Sequence, residues 1–286
     1  MYAMNNAAIG IFDSGLGGLT VAREIAGLLS AESLIYVGDQ ARCPYGSRDA
    51  DQVREYVQQI TDFLVSQQVK MIVIACNTAT ACGLQAARQR ADIPVVGVID
   101  AGARAALAAS KSGNIAVIGT ERTVNSDAYP HAVARINSSA QVVASATPEL
   151  AGIVESGLED QMMHQTSDGG EYYHLAESYL QPLFEEGTKD RPDTLLLGCT
   201  HYPVLSQALQ RAAGSDVAIV CAGSEVAAEV QQTLKDGDQL ASKQNRPHHV
   251  FYTTDDNIAE FDQLGSKIFG TDLTDIRHLQ LEGGKV

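Results

Sequence analysis

The sequence is poor in positive charge. Its 20 Lys and Arg residues are outnumbered by 35 Asp and Glu residues, which gives a formal net charge of -15 at pH 7. Because phosphate neutralisation by Lys and Arg dominates affinity for nucleic acid, this balance argues against a nucleic-acid partner. We attribute the excess acid to a solvated surface, which is compatible with an anionic small-molecule substrate.

The sequence also lacks long hydrophobic runs and a recognisable targeting segment. Its longest apolar stretches have the length of a strand, well short of the ~20 residues that a membrane helix needs. The opening segment MYAMNNAAIG has neither the basic part nor the apolar part of a signal peptide. We therefore predict no membrane partner and a cytoplasmic location.

Paired cysteines are absent as well. The five cysteines are Cys43, Cys76, Cys82, Cys199 and Cys221, and no two of them form a CxxC motif. Thiols of a cytoplasmic protein are expected to be reduced, and without CxxC pairs a zinc site or a redox dithiol has little support. The sequence therefore predicts no metal site.

Two short apolar runs that each end in a cysteine are the main positive feature. TLLLG at residues 194–198 leads into Cys199, and MIVIA at residues 71–75 leads into Cys76. Runs of this kind are typical of buried parallel strands, and open α/β sheets bind ligands at the carboxyl ends of such strands. We predict a duplicated architecture whose site needs two thiols. Hydrogen-bonding residues follow both thiols, namely Asn77 and Thr78 in one case and Thr200 and His201 in the other.

A glycine-rich turn follows the first predicted strand, AIGIF at residues 8–12. Asp13 and Ser14 stand at the end of that strand, and GLGGLT follows them. The turn has no Walker lysine, and Thr20 stands where a dinucleotide fingerprint has its third glycine. Asp39 is nevertheless placed like an acid that binds ribose, so a dinucleotide-binding oxidoreductase stays an alternative. A carboxylate at position 13 suits a cationic ligand group or proton transfer better, unless it only caps the next helix.

Three chemical roles compete for the two thiols. A nucleophile would pair Cys199 with His201 and would leave Cys76 without a task, whereas a metal would need a fourth ligand that the spacing does not supply. The third role is proton transfer on carbon, with one thiol on each face of the substrate. His201 would then assist Cys199, and Asp13 would assist Cys76. Core packing explains either cysteine alone, but two at equivalent strand ends favour a function.

Six motifs lie in order along most of the chain. They are IGIFDSGLGGLTV (9–21), YVGDQARCPYG (36–46), IVIACNTATA (72–81), IPVVGVI (93–99), AVIGTERTVNSDAY (116–129) and LLLGCTHYPVL (195–205). Together they resemble the glutamate racemase family, which is part of the cofactor-independent aspartate/glutamate racemase superfamily. The chain departs from the resemblance at Thr147-Pro148, where that family usually has Cys-Pro.

The resemblance implies an α/β fold of two flavodoxin-like lobes. Their sheets are expected to be mainly parallel and related by pseudo-symmetry, with the active site between the lobes. Lobe A is expected to comprise residues 1–100 plus 209–286, the second part being a return of the chain, and lobe B residues 101–208. Members of the family are often dimers, so a homodimer is compatible with the resemblance.

The resemblance also implies the roles of individual residues. Cys76 and Cys199 match the paired acid/base cysteines, with Cys76 deprotonating the D-isomer and Cys199 the L-isomer. Asp13 matches the acid that assists the first thiol, His201 the imidazole that assists the second, and Glu155 a further catalytic carboxylate. The positions that match substrate contacts are Asp13, Ser14, Tyr45, Gly46, Asn77, Thr78, Thr200 and His201.

The activity that the resemblance implies is racemisation of glutamate by two-base proton transfer at the α-carbon. No PLP, metal or nucleotide is expected to take part, and the product D-glutamate would supply bacterial peptidoglycan. A racemase of another amino acid, such as aspartate, is the nearest alternative. From other classes, the oxidoreductase mentioned above and a non-catalytic ligand-binding protein with the same fold stay open.

Overall fold

The chain divides into two compact units in the computed structural model, which describes residues 6–156, 171–185, 187 and 190–281. Unit 1 comprises Met1–Val98 and Gly223–Val286, and unit 2 comprises Ile99–Ala222. In the part of the chain that the structure describes, no helix has both the length and the apolar character needed to cross a bilayer.

Strands and helices alternate along most of the chain. The strands are β1 (Ile9–Asp13), β2 (Leu34–Gly38), β3 (Met71–Ile74), β4 (Val95–Gly97), β5 (Asn114–Gly119), β6 (Gln141–Ala146), β7 (Thr194–Gly198), β8 (Ala218–Val220), β9 (Val250–Thr253) and β10 (Ile276–His278). The helices are α1 (Leu19–Leu28), α2 (Ala50–Ser66), α3 (Asn77–Arg90), α4 (Val98–Ala109), α5 (Glu121–Asn125), α6 (Ala128–Ile136), α7 (Pro148–Glu155), α8 (Glu171–Phe184), α9 (Ser206–Ala213), α10 (Gly223–Asp236) and α11 (Ile258–Phe269). Short 3₁₀ turns add Gln40–Arg42, Tyr45–Ser47 and Tyr202–Leu205.

Each unit is built on one parallel sheet. Among the described residues, unit 1 has six strands in the order β10-β9-β2-β1-β3-β4, and unit 2 has four strands in the order β6-β5-β7-β8. All of the strand pairs are parallel. Both sheets contain the same order of neighbouring strands, β2-β1-β3-β4 in unit 1 and β6-β5-β7-β8 in unit 2. Numbered by their order in the chain within each unit, these strands lie in the order 2-1-3-4, which is typical of doubly wound folds. The prediction of an α/β fold with two mainly parallel sheets is therefore confirmed.

Burial explains why the central strands are continuous apolar runs. Every residue of β1, β3 and β7 is buried, as expected for parallel strands that helices cover on both faces. The α2 helix supplies one such cover, because its apolar stripe of Val53, Val57, Ile60 and Leu64 is fully buried. The strand ends are thereby held in fixed positions at the edge of each core.

The boundaries of the units differ from the predicted ones. The chain passes into unit 2 after Val98 and returns to unit 1 at Gly223, whereas the sequence prediction set these points at residues 100 and 209. The later return has a physical reason, because β8 pairs with β7 over Leu195↔Ile219 and so extends the sheet of unit 2. The segment 209–222 therefore belongs to unit 2.

Candidate active site: two thiols at strand ends

In unit 1, Cys76 stands where β3 gives way to α3. It is the N-cap of that helix, and its Sγ accepts a hydrogen bond from the backbone N–H of Ala79 at 3.3 Å. The residue is only 5% exposed. A sulfur that accepts a backbone N–H at a helix N-terminus is placed for stabilisation of its thiolate, the form of a cysteine that can act as a base.

The end of β1 brings Asp13 and Ser14 to the same edge of the sheet. Ser14 Oγ lies 3.7 Å from Cys76 Sγ, because β1 and β3 run side by side with Phe12 opposite Ile74. Asp13 is fully buried, and its Oδ2 accepts the Gly15 N–H at 3.0 Å. The glycine-rich turn therefore wraps the carboxylate of Asp13 and brings a hydroxyl to the first thiol.

The turn is tight because Gly18 lies directly against Asp13. A Cβ added at Gly18 would lie 2.4 Å from the Cβ of Asp13, which is closer than real contacts allow. The glycine is therefore required by the approach of the start of α1 to the carboxylate, and a side chain here would displace Asp13.

Tyr45, one of the predicted substrate contacts, lies in the interior of unit 1. It is buried, and its hydroxyl donates to Asp39 Oδ2. Burial, together with the neighbouring Asp39 carboxylate, holds the pKa of Tyr45 well above its usual value. Asp39 is itself fully buried and bound by Arg42, so its carboxylate is not available to a ribose. The oxidoreductase alternative loses the acid on which it rested.

In unit 2, Cys199 follows the last residue of β7 and faces an imidazole. Its Sγ lies 3.3 Å from Nδ1 of His201, and Nε2 of His201 pairs with Oε1 of Glu155. The side chains of His201 and Glu155 are 5% and 15% exposed. Thiol, imidazole and carboxylate thus form one continuous line that is largely shielded from solvent.

The two neighbours of His201 in this arrangement determine the charge of its imidazole. Burial lowers the pKa of His201, but the carboxylate of Glu155 and the sulfur of Cys199 outweigh it and hold the pKa well above its usual value. The surroundings of His201 therefore favour the protonated form of its imidazole. An imidazolium in contact with a thiolate stabilises its negative charge and is able to return a proton to it.

A buried pair that sequence reasoning missed fixes the helix that carries Glu155. Tyr202 Oη donates to the carbonyl oxygen of Thr147 at 2.9 Å and accepts from Thr147 Oγ1 at 2.7 Å. Thr147 precedes α7, whose last residue is Glu155. Burial, together with Cys199, also keeps the pKa of Tyr202 well above its usual value. The residue that departs from the Cys-Pro pattern thus anchors α7 by a hydroxyl.

The structure collects the predicted site residues into two clusters, one in each unit. Asn77 and Thr78 are the buried first residues of α3, and Gly46 is the middle of the Tyr45–Ser47 turn. Across residues 6–156, 171–185, 187 and 190–281, no group of three His, Cys, Asp or Glu side chains is arranged to hold a metal ion. The unit 1 cluster contains Asp13, Ser14, Tyr45, Gly46, Cys76, Asn77 and Thr78, and the unit 2 cluster contains Glu155, Cys199, Thr200 and His201.

In each doubly wound unit a buried thiol lies at the carboxyl end of a strand, which is where α/β enzymes of this topology bind their ligands. Residues 9–230 match the family model of the Asp/Glu/hydantoin racemases. The chain belongs to this family and is an amino-acid racemase, an isomerase.

Individual relatives and solved structures agree with the family. The glutamate racemase of Geobacter metallireducens is 42% identical over 279 residues, which cover 97% of this chain and 98% of the relative. A glutamate racemase isoform from Bacillus anthracis has a similar crystal structure, with a TM-score of 0.87 at 38% identity over 96% of this chain and 98% of that one. The glutamate racemase of Francisella tularensis, solved in complex with D-glutamate, has a TM-score of 0.86 at 29% identity over 97% and 99% of the two chains.

Proposed function

We propose that the protein interconverts L- and D-glutamate by two-base proton transfer at the α-carbon, with Cys76 and Cys199 as the two bases. The observation that carries the proposal is that each parallel sheet ends its third strand in a buried cysteine with its own hydrogen-bonding partners. The glutamate racemases among the relatives, and the D-glutamate bound by one of the similar structures, support glutamate as the substrate.

The proposed reaction moves one proton off the α-carbon and a different proton onto it. From the D-isomer, the Cys76 thiolate removes the α-proton, and the electron pair of the C–H bond passes into the substrate carboxylate. The Cys199 thiol then protonates the opposite face and is left as a thiolate, while Cys76 is left as a thiol. The L-isomer runs the same steps in reverse.

The two partners differ in what they supply to these steps. His201, charged and in contact with Cys199, stabilises the thiolate that forms there and returns a proton to it. Cys76 has backbone N–H stabilisation at the α3 N-terminus and the nearby Asp13 and Ser14. We propose that Asp13 assists Cys76, while Glu155 keeps His201 charged and oriented.

The substrate carboxylates need donors that do not move during the reaction. Asn77 and Thr78 begin α3 and Thr200 follows Cys199, so their backbone N–H groups belong to the turns that carry the thiols. Preorganised donors of this kind stabilise the charge that builds up on the substrate carboxylate as the α-proton leaves. We propose that these residues, with Ser14 and Gly46, bind the substrate.

In the proposed reaction the side chains carry out the chemistry without a cofactor. Activity is therefore expected to survive prolonged treatment with a chelator and with hydroxylamine, which would remove a metal ion or a PLP aldehyde respectively. In the cell, we propose that the reaction takes place in the cytoplasm and supplies D-glutamate for peptidoglycan.

The test is a substrate panel with purified protein, no added cofactor and a reducing buffer. L-Glutamate, D-glutamate, L-aspartate and L-glutamine are incubated separately, and chiral chromatography follows the opposite isomer of each. We expect both glutamate isomers to converge on an equal mixture, with the other amino acids turned over at least roughly a hundredfold more slowly, since a site built for one polar side chain rejects analogues strongly. If aspartate were racemised faster than glutamate, aspartate would be the preferred substrate. If no amino acid were turned over, a non-catalytic binding protein would be favoured.

A further inference from the structure

Asp39 occupies a junction between the first thiol site and the interior of unit 1. It follows the last residue of β2, and its backbone N–H donates to the carbonyl oxygen of Asp13 at 3.1 Å. Its carboxylate is fully buried. A buried carboxylate is costly unless it is paired and hydrogen-bonded, so its partners indicate what the charge is used for.

Three side chains converge on the Asp39 carboxylate. Arg42 Nε contacts its two oxygens at 3.0 and 2.7 Å, and Thr254 Oγ1 donates to it at 2.9 Å. The third is the Tyr45 hydroxyl. Charge-assisted bonds of this kind are stronger and more directional than neutral ones, so they hold the tyrosine in one orientation.

Tyr45 connects this network to the first thiol. It begins the Tyr45–Ser47 turn, which contains Gly46, and it shares a buried apolar cluster with Cys76. The Arg42 guanidinium also lies 4.1 Å from the centre of the Tyr56 ring, which in turn lies 5.5 Å from the Tyr45 ring. Tyr45 is therefore fixed at its hydroxyl by Asp39 and along its ring by Tyr56.

We propose that Asp39 is a positioning residue of the first thiol site: clamped by Arg42 and Thr254, it holds Tyr45 and thereby sets the place of the Tyr45–Ser47 turn next to Cys76. The inference rests on the proposed function, because the turn carries the proposed substrate contact Gly46. Asp39 itself touches no reacting atom, so its effect passes through Tyr45.

A second buried ion pair in unit 1 provides a control for the general cost of losing a buried charge. Glu32 and Lys70 are each 2% exposed at the side chain and pair at 2.5 Å. Glu32 precedes β2 and Lys70 precedes β3, so this pair lies at the amino ends of the strands whose carboxyl ends carry the thiol site. Glu32→Gln removes a buried charge from the same unit without touching the Tyr45–Ser47 turn.

The first experiment is a double-mutant cycle with Asp39→Asn, Tyr45→Phe and the combined variant, measured against Glu32→Gln. We expect Asp39→Asn and Tyr45→Phe each to raise KM for glutamate by roughly tenfold with a smaller change in kcat, since a misplaced binding turn weakens binding before chemistry. The combined variant should be no worse than Asp39→Asn alone, because both act through one contact. Glu32→Gln should lower the melting temperature and leave KM unchanged.

Two outcomes would overturn the proposal. One is a KM for Asp39→Asn that stays at the wild-type value while the melting temperature falls, as in Glu32→Gln, because Asp39 would then serve only stability. The other is a Tyr45→Phe variant that behaves like wild type. If Asp39→Asn does not fold, Thr254→Val removes one bond to the carboxylate without changing its charge, and a smaller rise in KM is expected.

A second readout needs no turnover and so separates this proposal from the proposed function. Alkylation by iodoacetamide is followed at Cys76 and at Cys199 by mass spectrometry of their peptides. We expect Asp39→Asn and Tyr45→Phe to change the rate at Cys76 severalfold and to leave the rate at Cys199 unchanged. Equal rates at Cys76 in the variants and in wild type would contradict the positioning role even if wild type racemised no glutamate.

Discussion

The two units share a strand order and differ at the thiol. In both, the first strand lies between the second and the third, and the third strand delivers a cysteine at its carboxyl end. Cys76 then caps a helix and lies near Ser14, whereas Cys199 contacts an imidazole that a carboxylate holds. The topology therefore decides where a thiol emerges, and the residues around it decide how its proton is handled.

The amino ends of the same strands differ in a similar way. Before β3, the buried Lys70 pairs with Glu32. Before β7, Asp193 accepts hydrogen bonds from Ser110, Lys111 and Ser112 at 2.6, 2.8 and 2.7 Å. The amino end of β3 is thus stabilised by an ion pair, whereas the amino end of β7 is stabilised by a carboxylate that accepts hydrogen bonds from a turn.

The largest expected effect comes from removing either thiol. Cys76→Ala and Cys199→Ala should each lower kcat for glutamate by about 10³-fold or more, since a positioned acid or base contributes ~10²–10⁴-fold. The effect should be similar from both starting isomers, because each direction needs both thiols. Cys221→Ala, which removes an exposed thiol, serves as the control. If either single variant racemised glutamate at a rate near that of wild type, the claim that the reaction needs one thiol from each unit would be contradicted.

The next effect sharpens the difference between the thiols. Glu155→Gln removes one of the two groups that raise the pKa of His201 and leaves only Cys199 to oppose burial, so that pKa should fall. We expect kcat/KM to fall roughly tenfold, the rate equivalent of about one pKa unit. NMR titration of the His201 ring, assigned with a His201→Gln variant, measures the pKa directly.

Glu149→Gln is the control for that titration. Glu149 lies on the same helix as Glu155 and also binds a side chain, the Tyr179 hydroxyl. The imidazole of His201 is bound by Cys199 and Glu155, whereas the Glu149 carboxylate is bound by Tyr179, so the pKa of His201 should stay at its wild-type value. A similar fall of the His201 pKa in both variants would mean that this pKa depends on α7 as a whole and not on the charge of Glu155.

A smaller effect is expected from crowding the first site. Gly18→Ala puts a methyl group against Asp13 and should destabilise the fold by ~1–3 kcal/mol, as overpacking generally does, while lowering activity. Gly27→Ala lies on the same helix in open space and should be neutral or stabilise by up to ~1 kcal/mol. Thermal unfolding compares the two variants, and equal melting temperatures would contradict the close approach at Gly18.

The smallest effect concerns the base of unit 2. Burial alone raises the pKa of Asp193, but hydrogen bonds led by that from Ser110 lower it to about 2. A depressed pKa gives stability above the unfolded value of ~3.9, and this stability is lost as the pH falls towards 2. The melting temperature of Asp193→Asn should therefore fall less than that of wild type as the pH is lowered from about 5 to 2. The exposed Arg191 pair also lowers the pKa of Asp216, but exposed pairs contribute little to stability, so Asp216→Asn should change that profile less than Asp193→Asn.

The sequence was sufficient to predict the strand ends that carry the thiols. Short apolar runs that stop at a small polar residue identified β1, β3 and β7, because parallel strands are buried on both faces. The motif IPVVGVI is one continuous apolar run, but within it β4 ends at Gly97 and α4 begins at Val98. A buried strand and a buried helix start are equally apolar, so the pattern does not mark the change.

Contacts between distant residues were not predictable from a local pattern. Glu155 and His201 are 46 residues apart, and Thr147 and Tyr202 are 55 apart, so no spacing rule connects them. The resemblance assigned Glu155 a catalytic carboxylate role but not the His201 contact. β10 was missed for another reason: its IRH segment is mostly exposed and forms because β9 offers an edge, with Ile276 opposite Phe251.

The most direct test of the two-base account is the position of deuterium early in the reaction. Wild-type protein converts L-glutamate in deuterated water, and the reaction is stopped while only a small fraction has turned over. Separate bases on the two faces predict a D-isomer that carries solvent deuterium at the α-carbon and a recovered L-isomer that retains protium. A D-isomer that keeps the original proton, or equal deuterium in both isomers, would instead indicate a single base and contradict the account.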